Sequence, residues 1–390
     1  MAAPTSPYEA FRKPVLVERV EFFPVRYPTV MRFKFFEGPA SGQGRPAVLI
    51  KLTASDGAVG WGESVPVPRW GCETFESAQK TIEHYLAPII TGMNPFDIEA
   101  IHRAMNIEVA NCFSTCAPIT KAGLDIALHD LIGHTCGLNL ARLWGRTTPE
   151  RLQLSWTLNP RELDELPALI EAGRARGYRH FNVKVAPDLE FDLAMCRMVN
   201  ELAPEGFLWA DANGGYDLDT ALEAAPKLAG AGVPVLEQPL PPNRLTGYRR
   251  LKKQGALPII MDEGVISPVD LEEFIELDCL DGVAMKPARC GGLHSARAQI
   301  EILERERKLF LGSGLTDPDV SLSASLILYG AYGLAYPAAL NGPQFLGESV
   351  LASPFRVEDG HVAIPGGPGL GVEVDEERVR ALSERSLAGV

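Results

Sequence analysis

Two hydrophobic periodicities divide the chain. Over residues 15–61, apolar positions fall in strand-like runs, VLVERVEFFPVRYP and AVLIKLTASDGAVGWGE, and Asp56-Gly57 in the second is a hairpin signal. A small antiparallel sheet is predicted. Between these runs, residues 28–46 carry Gly38, Gly42 and Gly44 beside a basic and aromatic MRFKFF, which reads as a mobile loop. A second loop, SVPVPRWGCE, follows Glu63 and includes Arg69 and Trp70. Both are candidates to cover a ligand. Three helical stretches come next: FESAQKTIEHYLAPII, NPFDIEAIHRAMNIEV and ITKAGLDIALHDLIGHTCG, the last ending at Gly137. Ala122, Ile126, Leu128 and Ile132 give that last helix an apolar face that needs a large packing partner. His129 and His134 on it read as core or surface residues rather than metal ligands.

After Trp144-Gly145 the pattern changes to strict alternation of short apolar runs and amphipathic helices. The runs are LQLSWTL, which contains Thr157, then HFNVKVA, FLWAD, VPVLE, PIIMD, GVAMK, LFLGS and a short stretch at 336–340. Apolar runs without alternation are buried parallel strands, and eight of them separated by helices mean a barrel or a doubly wound sheet. The position of the charges decides for the barrel. Lys184, Asp211, Glu237, Asp262 and Lys286 close five successive runs at intervals of about 25 residues, one strand, one helix and two loops. In a (β/α)8 barrel the C-terminal strand ends converge on one mouth, so these five side chains meet. The expected architecture is α/β, a modified TIM barrel of (β/α)7β type. The expected divisions are a disordered lead (1–14), an α+β capping domain (15–145), the barrel (146–346), and a segment (347–390) with a hairpin-like FRVEDGHVAIPGG that packs back on the N-terminal sheet.

Composition narrows the function classes. The hydrophobic fraction is 46%, the charged fraction 22% and the formal net charge −13. An acidic chain repels nucleic acid and anionic membrane surfaces, so neither is an expected partner. The seven cysteines are scattered and form no CxxC pair, which fits reduced thiols in a cytoplasm. The apolar stretch 320–340 is interrupted by Gly330, Gly333 and Pro337 and reads as buried helix and strand rather than a membrane span.

Residues i and i+2 of a strand share a face, so Asn182 with Lys184, and Asp211 with Asn213, point together into the mouth. Lys184 falls on the second barrel strand and Lys286 on the sixth, diametrically opposed in a ring of eight. Asp211, Glu237 and Asp262 lie on the three strands between. Three carboxylates without cysteine or histidine are a hard oxygen site suited to Mg2+, with Mn2+ as a substitute. Unneutralised, they would repel and push at least one pKa upward. A cation held there can bind a substrate carboxylate and stabilise the charge that develops when the α-carbon loses a proton. A lysine acting as base must be neutral, so its pKa has to be lowered.

These residues resemble the enolase superfamily, and within it the muconate lactonizing enzyme subgroup. The phrases that carry the resemblance are NVKVAPD, DANGGY, LEQPL, MDEG and MKPARCGGL, with WGE at Trp61 and KAGLDIALHDLIG in the cap and PGGPGLG near the end. The resemblance implies that Asp211, Glu237 and Asp262 hold Mg2+, that Lys184 and Lys286 are the acid/base pair, and that Asn213 and Glu263 lie just outside the metal shell. The subgroup usually has Lys-x-Lys where this chain has Asn182-Val183-Lys184. It commonly has a glutamate near a Gly-Ser-Met-Leu phrase where this chain reads LGSGLTDPDV.

Opposed lysines favour racemisation or epimerisation of a carboxylate substrate as the first expectation. Cycloisomerisation is second, syn-dehydration of a hydroxy acid third, and a non-catalytic ligand-binding barrel remote. Asp317 or Asp319 could face an amine of an amino-acid-like substrate, the alternative being a capped Asp-Pro-Asp turn. Asn182, Thr157, Arg69 and Trp70 complete the candidate substrate contacts, and a homo-oligomer is expected.

Overall fold

A computed structural model describes residues 7–37 and 44–388. Three antiparallel strands, β1 (Val17–Tyr27), β2 (Arg45–Ala54) and β3 (Val59–Ser64), form the predicted sheet, joined at Asp56-Gly57. The helix Pro118–Cys136 lies on this sheet and is buried over almost its whole length. Gly60 and Gly62 make that approach feasible, because a Cβ at either would sit 2.4 Å from Leu131 N or 2.0 Å from Gly123 O. The first predicted helix is one helical run, Phe75–Thr81 to Ala87–Ile90, with a widened π-type turn at Ile82–Leu86. Pro88 lacks the N–H that an α-turn would aim at His84, and the wider turn accommodates it.

The lead is ordered from residue 7, in contrast to the expectation of disorder through residue 14. Tyr8 is buried and its hydroxyl accepts a 2.7 Å bond from Trp144 Nε1, Arg12 pairs with Asp97, and Lys13 donates to Thr135 O. Residues 1–6 lie outside the described residues.

β4 (Arg151–Gln153) precedes the barrel strands β5 (Ser155–Leu158), β6 (His180–Lys184), β7 (Leu208–Asp211), β8 (Val235–Glu237), β9 (Ile259–Met261), β10 (Gly282–Met285) and β11 (Leu309–Gly312). β5 to β11 pair in sequence order, all parallel, each followed by a helix. The eighth run is reduced to two parallel bridges, Ala338 with Leu154 and Ala339 with Ser313, which join the two outer strands. Pro337 has no N–H to extend that ladder.

Inside the barrel the period-2 rule separates floor from mouth. Trp209, Val235, Ile260, Ala284 and Leu311 form an interior apolar plug with Ala339. Two residues on from the first four stand Asp211, Glu237, Asp262 and Lys286, at the C-terminal ends.

The C-terminal segment divides between two places. The hairpin β12 (Val357–Glu358) and β13 (His361–Ala363) adds to β4, whose free edge it covers, rather than to the N-terminal sheet. The last helix, Glu376–Ala388, does reach the cap: Arg26 N donates to Ser386 Oγ at 2.7 Å and Lys51 pairs with Glu376 at 2.5 Å. Cap and barrel are joined at Asp125, which accepts 2.5 Å from Leu293 N at the start of Leu293–Arg305 and 2.7 Å from His102. Gly292 is required there, since a Cβ would lie 2.1 Å from Asp125 Oδ2. Burial opposes the charge of Asp125, but His129 and His102 hold its pKa well below the usual carboxylate range. His134 faces Asp130. Both histidines thus serve packing and pairing. Among the described residues no helix is long and apolar enough to cross a membrane, and the helix Asp319–Ala331 is buried throughout.

Candidate active site

The strand register sets the height of each functional side chain. β6 pairs Lys184 with Asp211, and β7 pairs Asp211 with Glu237, so these three stand level. β8 pairs Glu237 with Ile260, placing Asp262 two residues higher, and β9 pairs Met261 with Val283, which raises Lys286 again. This stagger is the shear a closed barrel needs.

Asp211, Glu237 and Asp262 are buried and each offers an oxygen within 4.8 Å of the others. Lys184 donates to Asp211, and Lys286 donates to Asp262 and lies 3.7 Å from Glu237 Oε1. Arg289 donates to the other oxygen of Asp262 and, at 2.9 Å, to Ala284 O. Both oxygens of Glu237 are buried without a hydrogen bond among the described residues.

Burial, then repulsion from Asp211 and Asp262, pushes the pKa of Glu237 far up. Burial and the same two neighbours push Glu263 up to about 8. Asp262 is also disfavoured by burial, but Lys286 and Arg289 overcome this and keep it low. For Lys286, burial disfavours the ammonium, while Asp262, Glu237, Glu263 and Asp211 outweigh it and raise the pKa. Lys286 is therefore held charged among these carboxylates, opposite to the lowering that a resting base requires. The donor set fits a hard divalent cation: three converging carboxylates, one with no hydrogen bond, in a dry setting that disfavours their mutual charge.

Above this ring lies a small cavity that opens to the surface. Lys184 and Lys286 both line it, as do Asn182, Asn213 and Asn341. Phe33, Phe35, Phe36 and Trp70 form an aromatic wall, and the Lys286 ammonium is 4.8 Å from the Trp70 ring centre.

Residues 165–378 match the family Enolase C-terminal domain-like, and residues 26–145 match the Mandelate racemase / muconate lactonizing enzyme N-terminal domain. The chain belongs to the enolase superfamily. Within it the muconate lactonizing subgroup is the relevant branch. Muconate cycloisomerase 1 of Rhodococcus opacus is 30% identical over 364 residues, 90% of this chain and 94% of its own length. A chloromuconate cycloisomerase of Cupriavidus necator is 32% identical over 345 residues, covering 85% and 90%. The crystal structure of 2-chloromuconate cycloisomerase from Rhodococcus opacus superposes with a TM-score of 0.86 at 28% identity, covering 95% of this chain and 99% of that one. The protein is thus an isomerase of this superfamily, whose members use a divalent metal.

Within this superfamily site, Asn213 takes a left-handed backbone (φ 45°) and donates from Nδ2 to Glu263 at 3.1 Å, while its N–H donates to Asp211 at 2.9 Å. The candidate substrate contacts divide. Asn182 and Trp70 reach the cavity. Thr157 is buried beneath it, bonded to Gln344 and Asn341. Arg69 donates outward to Glu37 O. Asp317 and Asp319 do not face the cavity: Asp317 accepts from Leu315 N and Ser325 Oγ, and Asp319 from Ser349 Oγ and Val350 N. Their partners make them turn and segment anchors, the alternative weighed for an Asp-Pro-Asp turn.

Asn341, which lines the cavity, and Arg289 and Gln238 are absent from the sequence candidates. Arg289 sits three residues after Lys286 on the turn into a helix, and a basic residue in KPARCGG was the only signal. Gln238, also in a left-handed conformation (φ 40°), accepts from Asp262 N at 2.8 Å and donates to Leu240 O at 2.9 Å, tying β8 to β9.

Proposed function

We propose that this protein is a Mg2+-dependent cycloisomerase of a conjugated dicarboxylate of the muconate kind. The observation that carries the reading is the likeness, over 85–90% of the chain, to proteins named as muconate and chloromuconate cycloisomerases. Opposed lysines on their own favour proton transfer at a single carbon; the relatives favour ring closure instead.

Asp211, Glu237 and Asp262 are the residues that would hold the ion, with Asn213 and Glu263 fixing them from outside. Bound there, a divalent cation supplies a fixed positive charge for one substrate carboxylate and for the second charge that grows beside it. The chain's own residues do the rest. In ring closure the substrate's other carboxylate oxygen adds to the conjugated system, and the electron pair moves to the carbon α to the first carboxylate. A lysine ammonium then delivers a proton to that carbon. Only one lysine moves the proton in this scheme. Lys184, half-buried and bonded to one carboxylate, is the donor. Lys286, buried and held charged between Asp262 and Glu237, stabilises the growing negative charge from the opposite side. The aromatic wall of Phe33, Phe35, Phe36 and Trp70 keeps water from the intermediate.

A second reading, racemisation or epimerisation, is favoured by one observation: both lysines line the same cavity. The two separate in D2O. Incubated with Mg2+ and cis,cis-muconate, the protein is expected to consume the diene and yield a lactone carrying one deuterium α to its carboxylate. Absence of diene loss, with α-deuteration and inversion of a chiral carboxylate, would replace the first reading by the second.

A further inference from the structure

We propose that Lys34 of the capping segment receives the distal carboxylate of the substrate and so selects dianions over monoanions. The inference rests on the dicarboxylate reading above and deepens it.

The segment that carries Lys34 is stitched to the barrel mouth. Val30 N donates to Phe345 O at 2.8 Å, Gly347 N donates to Pro28 O at 2.9 Å, and Phe33 stacks on Phe345 with ring centres 4.6 Å apart. Phe33, Phe35 and Phe36 consequently line the cavity together with Lys184 and Lys286. The Lys34 ammonium lies 5.1 Å from the centre of the Phe35 ring.

Lys34 lies between the cavity-lining Phe33 and Phe35, and the cations that line the cavity or stand near it are committed. Lys184 is bonded to Asp211, while Lys286 and Arg289 share Asp262. Arg32 and Arg161 pair with Glu37, and Arg69 donates to Glu37 O. Arg45 is enclosed by the carbonyls of Pro46, Val65, Pro66 and Leu315. Lys34 is half-buried and has no hydrogen-bond or ion-pair partner among the described residues, while residues 38–43 contain no acidic side chain that could serve.

A half-buried ammonium without a counter-ion is disfavoured, and a carboxylate arriving beside it relieves both charges. Burial, then the charge of Lys184, holds the Lys34 amine down to about 8, while Asp211 and Glu263 act in the opposite direction. A diacid bound at the metal end of the cavity by one carboxylate needs a second cation for the other, and the two lysines that line the cavity are already bonded to Asp211 and Asp262.

The test uses the Mg2+-loaded full-length protein and two probes of equal length, adipate and its monomethyl ester, titrated by calorimetry. The wild type is expected to bind adipate at least tenfold more tightly than the ester. Lys34→Met should bring the two within about twofold with Mg2+ affinity and Tm unchanged, and Lys34→Arg should restore the preference. A dianion preference that survives in Lys34→Met, or is missing from the wild type, overturns the assignment. Turnover is scored separately. Failure to convert muconate, with a Lys34-dependent preference intact, removes the cycloisomerase reading and leaves the anion site standing.

Discussion

Lys286 donates to Asp262 from the neighbouring strand, as Lys184 does to Asp211, so each of the two facing lysines is bonded to a carboxylate of the acidic triad. The Lys286 ammonium and a divalent cation are thereby competitors for the same oxygen. Replacing Lys286 with alanine removes the competitor and one positive charge from the ring. Mg2+ binding should tighten severalfold, while turnover should fall by roughly 10³, the scale of a lost charged group aimed at a developing anion. Lys184→Ala is expected to lose about 10²–10⁴ of kcat as the proton donor. Calorimetric Mg2+ titration beside steady-state kinetics separates the two effects; wild-type kcat in either variant would refute the two-lysine arrangement.

Arg289 provides the second bond to Asp262, from a side chain 1% exposed. Arg289→Met leaves that carboxylate short of a buried counter-charge. Breaking one partner of a buried pair costs about 3 kcal/mol or more. Unfolding in urea should show this loss without chelator-sensitive metal present. Added Mg2+ should narrow the gap, because an ion bound only by the folded protein supplies the missing charge. A gap unchanged by Mg2+ would mean that Arg289 acts only through packing.

Much of this site was legible because barrel geometry writes itself into spacing. Asp211, Glu237, Asp262 and Lys286 each end a short apolar run, and the plug residue two positions earlier on each run fixes which way they point. Asp317 and Asp319 were harder, since an acidic pair beside a strand end reads alike whether it faces a substrate or ties a turn. Asp317 is tied within its own turn and to Ser325 of the helix that follows, while the partners of Asp319, Ser349 and Val350, come from a segment distant in sequence. The same holds for Lys34, whose segment is held at the barrel mouth by the packing of Phe33 on Phe345 and by backbone bonds of Val30 and Pro28 to Phe345 and Gly347. Order at residues 7–14 was hidden likewise, resting on Tyr8 meeting Trp144.

Glu237 exposes a conflict between stability and function. Its two oxygens have no hydrogen bond among the described residues, and burial with Asp211 and Asp262 pushes its pKa far up. A raised carboxyl pKa disfavours the folded state once pH passes the unfolded value near 4.5. Glu237→Gln removes that penalty, so above about pH 5 the metal-free variant should melt at a higher temperature than the metal-free wild type. With Mg2+ the order should reverse, since the variant lacks one charged ligand. Thermal melts with chelator and with Mg2+ would check both signs, and a variant that still gains stability from Mg2+ as the wild type does would remove Glu237 from the ligand set.

Glu63 of the cap offers a pH test remote from the metal. It is fully buried, accepting 2.8 Å from Tyr27 Oη and 3.1 Å each from Ser321 N and Oγ. Burial first, and then Asp319, raises its pKa from 4.5 to about 7 against these bonds. Below the unfolded value of 4.5 both states are protonated and no penalty exists. As pH climbs from 4.5 to about 7, the unfolded chain ionises while the folded chain retains the proton, and stability falls; above about 7 the loss is complete. At about 1.4 kcal/mol per unit the full effect is at most roughly 3–4 kcal/mol. A glutamine keeps the shape, accepting from Ser321 and donating to the tyrosine oxygen. The Tm of Glu63→Gln relative to wild type should therefore rise between pH 5 and pH 7 and level off above. Asp319, raised to about 6 by burial, contributes the same sign to both proteins and cancels in the difference. A Tm difference constant from pH 5 to pH 8 would show that Glu63 is ionised throughout.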